Sequence, residues 1–213
     1  MEAFHFFTKL DQTLLLGLRA SSIEELLVGM RSVPDSSIYF HTHRFLVQHH
    51  FLSPEPPNDF AYWVTHVLGN DSLGERLWSV DTVQFNAIGD LRAKMIAILE
   101  SHLAMSGRKT ESQAGEEFYF MASRIFVLPT GYRARDLDEF ARQLTKVSIN
   151  SVYFHMFDAK LRLKSGENDF SRWFRHIGHV PLADETRRLD PYAYTLDGLR
   201  QHIIALVKQH DRH

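Results

Sequence analysis

The sequence predicts a mainly α-helical protein with a minor β element, an α+β fold of two pseudo-twofold-related helical repeats. Each repeat has about four helices and opens with a short strand. Three observations predict this. Residues 3–41 align without a gap on residues 117–155 with 12 identities in 39 positions, where chance gives about two. Apolar residues recur at helical spacing behind residues that cap helices. The repeats open with the alternating aromatics Phe4-His5-Phe6 and Phe118-Tyr119-Phe120, a period that suits a strand.

Taken in order, the opening strand is followed by a second apolar run ending at Gly17 or Gly131, read as a turn that needs a left-handed φ. Ser21 or Ser22, followed three residues later by Glu24 or Glu25, makes a capping box for the first helix, and Asp136 with Glu139 repeats it. Pro34-Asp35-Ser36 breaks the chain, so Ser36 or Ser37 caps a second helix through Tyr39 and His41; its counterpart stops at Ser165-Gly166. Phe60, Trp63, Val64, Val67 and Leu68 form one face of a third helix behind Asn58 or Asp59, and Phe170, Trp173, Phe174 and Ile177 repeat it behind Asn168 or Asp169. The last helix carries Leu91, Met95, Ile98, Leu99 and His102, matched by Leu199, Ile203, Leu206, Val207 and His210 behind Thr195. The expected boundaries are 1–103 for the first repeat, 104–116 for a polar linker and 117–213 for the second repeat.

The chain has 213 residues, 44% hydrophobic and 23% charged, with a formal net charge of −2. That composition is globular and offers no basic patch for nucleic acid. Cysteine is absent, which removes disulfides, thiolate nucleophiles and cysteine metal sites. Apolar runs are too short to span a membrane, and the start lacks the pattern of a signal peptide. A soluble cytoplasmic protein is expected, with neither nucleic acid nor membrane as partner. The first repeat carries −5 and the second +3, a complementarity that suits attraction between repeats or a homo-oligomer.

The 13 histidines raise metal binding. His41, His43, His49 and His50 lie near Glu55 and Asp59, which would make a metal-dependent hydrolase. Their spacing argues against it, because paired ligands on a helix need i, i+3 or i, i+4. No phosphate loop, nucleophile elbow or HExxH is present, so no catalytic residue and no cofactor is assigned. The polar residues kept in both repeats are Ser37/Ser151, Tyr39/Tyr153, His41/His155, Asn58/Asn168, Asp59/Asp169, His66/His176, Arg92/Arg200 and His102/His210. Caps and helix-dipole partners account for several, and Arg92 and Arg200 are placed to pair with Asp81 and Asp190. His41, Asn58, Asp59, His66, His155, Asn168, Asp169 and His176 are the candidate ligand-binding set, lining a cleft where the repeats meet. The proline-rich residues 53–57 stiffen the entry to the third helix.

The runs Ser-Ile-Tyr-Phe-His (37–41), Leu-Ser-Pro-Glu-Pro-Pro-Asn-Asp-Phe-Ala-Tyr-Trp (52–63) and Leu-Asp-Pro-Tyr-Ala-Tyr-Thr-Leu (189–196) resemble a bacterial and archaeal family defined only as a domain of unknown function, here as two tandem copies. The resemblance covers nearly the whole chain. It implies a stand-alone cytoplasmic protein and brings no catalytic residues with it. The functional expectation is a non-catalytic interaction or regulatory module that binds a protein or small ligand.

Overall fold

The structure is a computed structural model and describes residues 2–48, 58–105, 110–190 and 193–211. It is mostly helical, with one two-stranded antiparallel sheet. Strand β1 (Phe4–Ala20) leads into α1 (Ile23–Ser32), α2 (Asp35–Gln48), α3 (Asp59–His66), α4 (Asp71–Trp78) and α5 (Ile88–Met105). Strand β2 (Phe118–Ala134) leads into α6 (Leu137–Leu144), then α7 (Ile149–Tyr153), a π-helical turn (Phe154–Asp158) and α8 (Ala159–Leu163), and finally α9 (Asp169–His176), α10 (Val180–Arg187) and α11 (Leu196–His210). No helix among the described residues is long and apolar enough to cross a membrane.

Several caps form as the sequence predicts, although Ser36 and Ser37 lie inside their helix and Lys164 (φ 49°), not Gly166, takes the left-handed position after α8. Ser22 accepts from the Glu25 amide while Glu25 accepts from the Ser21 amide, and Asp136 with Glu139 does the same for α6. Asn58, Asn168 and Thr195 cap α3, α9 and α11. Three features differ from expectation. The opening strands are 17 residues each rather than short, and Gly17 (φ 72°) and Gly131 (φ 78°) lie inside them, where an L-residue would be strained. The helix after Pro34 starts at Asp35, before the serines. Each half of the chain holds an additional short helix, α4 or α10, between the third and last expected helices.

Two compact units follow from the contacts, and they interleave along the chain. The described part of the first unit is residues 2–10 and 125–211; that of the second is residues 11–48 and 58–124. Helices α1–α5 thus belong to the second unit and α6–α11 to the first, while the opening segment of each strand lies with the helices that follow the other strand.

In the first unit, Phe6, Phe140, Phe170 and Phe174 are fully buried, and Phe4 rests its ring 5.4 Å from Phe170 and 5.6 Å from Trp173. In the second, Phe120 and Phe60 are fully buried with Leu26, Met30, Leu73 and Leu77, and Phe118 stacks on Phe60 at 5.1 Å. Each such side chain stabilises its unit by about 1.5–3 kcal/mol. Gly29 is required by packing, since a Cβ there would lie 2.3 Å from the Phe120 ring.

Candidate functional site

The Ser-x-Tyr-Phe-His run places Ser151 and His155 four residues apart, on one face of the helix that passes through the π turn. In the first unit that face meets the edge of β1. The Phe7 amide donates to His155 Nε2 at 2.8 Å, and Ser151 Oγ donates to the Phe7 carbonyl at 2.6 Å. The other imidazole nitrogen, Nδ1, bonds to Asp169 Oδ2 at 2.7 Å. Because Nε2 accepts an amide hydrogen, the network assigns the proton to Nδ1, which donates to the carboxylate.

Arg162 donates to the same Asp169 oxygen at 2.5 Å and lies over the Phe154 ring at 4.8 Å. Burial holds the His155 pKa below the usual histidine range, outweighing the pull of Asp169. Burial pushes Asp169 upward, but its hydrogen bonds to His155 and Arg162 prevail and leave it lowered.

The second unit carries the same contacts on its own residues. The Met121 amide donates to His41 Nε2 at 3.0 Å, and His41 Nδ1 bonds to Asp59 Oδ2 at 2.8 Å. Trp63 Nε1 donates to the Glu116 carbonyl at 2.8 Å, as Trp173 Nε1 does to Glu2 at 3.1 Å. Both pairs resemble the His–Asp dyad of a general base. In a working base, however, the nitrogen away from the carboxylate faces substrate, and here it faces a strand amide. Both histidines are buried, and neither ring nitrogen is left to take a proton from a ligand.

The remaining expected site residues divide in the same way. Asn58 is fully buried: it accepts from the Ala61 amide and donates to the Leu77 carbonyl at 3.1 Å. Asn168 accepts from Ser171 and donates to the Thr186 carbonyl at 3.4 Å. Both tie the start of one helix to the end of the next. Arg92 bonds to Asp35 and the Met30 carbonyl, and Arg200 lies 3.7 Å from Asp197. His102 meets Asn70 and His210 meets Glu185.

Of the histidines raised as metal ligands, His43 is buried, stacked on Tyr39 and bonded to Thr42. His49, His50, Glu55 and the proline-rich residues 53–57 lie outside the described residues. Among the described residues, no group of three or more His, Asp or Glu side chains is placed to hold a metal ion.

A cavity of about 640 Å³ opens in the first unit. His155 and Asp169 form part of its inner wall, together with the buried rings of Phe4, Phe154 and Trp173. Arg162, Arg172, His176 and His5 surround the exposed side, with Phe7, Val127, Ala3 and Glu2. Three expected site residues, His155, Asp169 and His176, therefore share one cavity. Asn168 lies behind it as a cap, and His66 of the second unit packs at 4.6 Å on Tyr62.

Sequence reasoning missed Arg162, Arg172, His5 and Phe7. The available signal was the Arg172–His176 spacing on the helix that carries Trp173, and the change from Tyr62 to Arg172 between otherwise matching segments.

No curated protein matches this chain. The solved structure of OrfY from Thermoproteus tenax is similar to it, with a TM-score of 0.82 and 28% sequence identity over 100% of this chain and 97% of that one. The sequence led us to expect two tandem copies of one family unit, but a single family model runs through both halves: residues 1–208 match DUF5752, a family of unknown function, and the chain belongs to it.

Proposed function

We propose that this protein is a non-catalytic binding or regulatory module whose ligand is a small molecule seated in the cavity of the first unit. The observation that carries the reading is the cavity itself. At about 640 Å³ it falls in the range of small-molecule sites, and it joins aromatic walls to a few convergent polar groups. The engaged nitrogens of His155 and His41 support a binding role over catalysis, since the groups that look like general bases hold strands instead. The sequence-based expectation placed the ligand in a cleft between repeats; we propose the first-unit cavity in its place.

We also propose that the family unit arose by duplication of an ancestral half. The matched contacts of His41/His155, Asp59/Asp169, Asn58/Asn168 and Trp63/Trp173 support this, each made within its own unit.

A fragment set titrated into the uniformly ¹⁵N-labelled full chain tests the ligand site. The expected result is that hits shift the Trp173 indole N–H and the Phe7 and Arg172 amides together. Hits that leave all three unmoved, or no hits, would overturn the reading.

A further inference from the structure

We infer that the cavity of the first unit takes a small organic oxyanion, a carboxylate or phosphate on an apolar body, with Arg172, His176 and His5 as its polar contacts. The inference rests on the reading of that cavity as a ligand site and adds the ligand's chemical class.

Two of the charged groups on the cavity wall are already engaged. Asp169 is held by His155 and Arg162, and Arg162 in turn is fixed by Asp169 and the Phe154 face. The Arg172 side chain has no hydrogen bond or ion pair among the described residues, although it lines the cavity. A planar guanidinium of that kind matches a carboxylate or phosphate with two parallel hydrogen bonds. His176 follows Arg172 by four residues on α9, so the two stand one above the other on a single helix face. His5 adds a third nitrogen-bearing side chain from β1. Glu2 is the one carboxylate on the wall outside the Asp169 network.

The other unit carries different side chains at three corresponding positions. The frame around the corresponding positions is kept: Asp59 for Asp169, Trp63 for Trp173, His66 for His176, Phe118 for Phe4. Three of the differences fall on the cavity wall. Tyr62 stands for Arg172, Tyr119 for His5 and Glu117 for Ala3. All three exchanges make the first unit less acidic or more basic. Glu117 is moreover held by the Gly115 amide and Arg19. Drift on a solvated face has no reason to favour one sign. Phe7, 36% exposed, and Val127, 49% exposed, offer the apolar surface against which the body of such a ligand would lie.

Phenyl phosphate, benzoate and the neutral benzyl alcohol, titrated separately into the full-length protein and followed by ¹H–¹⁵N spectra, test the inference. The two anions should bind at the Trp173 indole and Phe7 amide, with benzyl alcohol about tenfold weaker or more. Arg172→Ala, at an exposed position, should lose about tenfold of the anion affinity and leave that for benzyl alcohol unchanged, while Arg172→Lys keeps part of it. Raising the salt concentration should weaken anion binding alone. If benzyl alcohol binds as tightly as the anions and Arg172→Ala changes nothing, the oxyanion assignment is overturned and the cavity remains a ligand site. If none of the three probes moves the cavity signals, both readings fall.

Discussion

Replacing Lys9 with Met isolates a charge pair buried in the first unit. Lys9 Nζ lies 2.7 Å from Asp158 Oδ2, with the two side chains 2% and 10% exposed, and 4.4 Å above the Tyr153 ring. The methionine fills most of the lysine's volume, so the packing loss is small and the change falls on Asp158. Its carboxylate would then be buried without its cation, which costs about 3–5 kcal/mol. That is a large share of the roughly 5–15 kcal/mol by which domains are stable.

Removing both charges, as Lys9→Met with Asp158→Leu, should recover most of the loss, because paired buried charges replaced by apolar groups are about neutral. The second unit has Ser123 and Arg44 at the corresponding positions, so this pair belongs to the first unit. Urea unfolding followed by circular dichroism reads Lys9→Met, Asp158→Leu and the double variant. A single-variant loss below about 1 kcal/mol, or a double variant as unstable as the sum of the singles, would refute the reasoning.

Acid should weaken the fold through both units, since burial lowers the pKa of His102 in the second as it does that of His155 in the first. His155 has a folded pKa below its usual 6.5, so an unfolded chain takes up a proton as pH falls through 6.5 while the folded chain resists, and stability drops from there downward. Asp169, also lowered, contributes stability above its usual 3.8 that is lost as pH falls through its folded value. Urea midpoints between pH 8 and pH 5 should therefore decline toward acid, and His155→Gln should flatten the decline; an equally steep decline in that variant contradicts the assignment.

Gly29→Ala should destabilise, because overpacking against Phe120 costs about 1–3 kcal/mol and helix propensity returns about 1; a raised melting temperature would show that the ring can move aside. Asn58→Ala should cost about 2–4 kcal/mol by removing the cap and leaving the Leu77 carbonyl without its side-chain donor. Asn58→Asp should recover the cap alone, and its full recovery in a thermal melt would count against the link to Leu77.

The helices that carry large apolar faces were legible in the sequence. Phe60, Trp63 and Val64 are all buried behind a capping Asn58, and Leu91, Met95, Ile98 and Leu99 face the core of α5. The short helices were not, for a physical reason. The residues α4 buries are Leu73, Gly74 and Leu77, too few positions to establish a period. The strands hid their length because burial alternates only at their starts. Leu10, Leu15, Leu18 and residues 125–128 are substantially exposed, so both faces carry apolar side chains and the two-residue pattern is lost.

The site was half legible. Retention in both halves singled out His41, His155, Asp59 and Asp169, and the structure joins them in two matching pairs. Their role was not legible, because the group that closes each pair is a backbone amide 148 or 80 residues away, and an amide carries no sequence signature. Arg172 has Tyr62 as its counterpart, so retention in both halves could not single it out.

The account depends most on both imidazoles acting as strand holders, with Nδ1 protonated and Nε2 accepting an amide hydrogen. Long-range ¹H–¹⁵N spectra of the histidine rings at neutral pH test this directly. They should show the Nδ1–H tautomer for both His41 and His155, with scalar coupling across the hydrogen bonds from the Met121 and Phe7 amides. Nε2–H tautomers, or rings that exchange freely between the two forms, would contradict it and return both histidines to the list of groups available for chemistry.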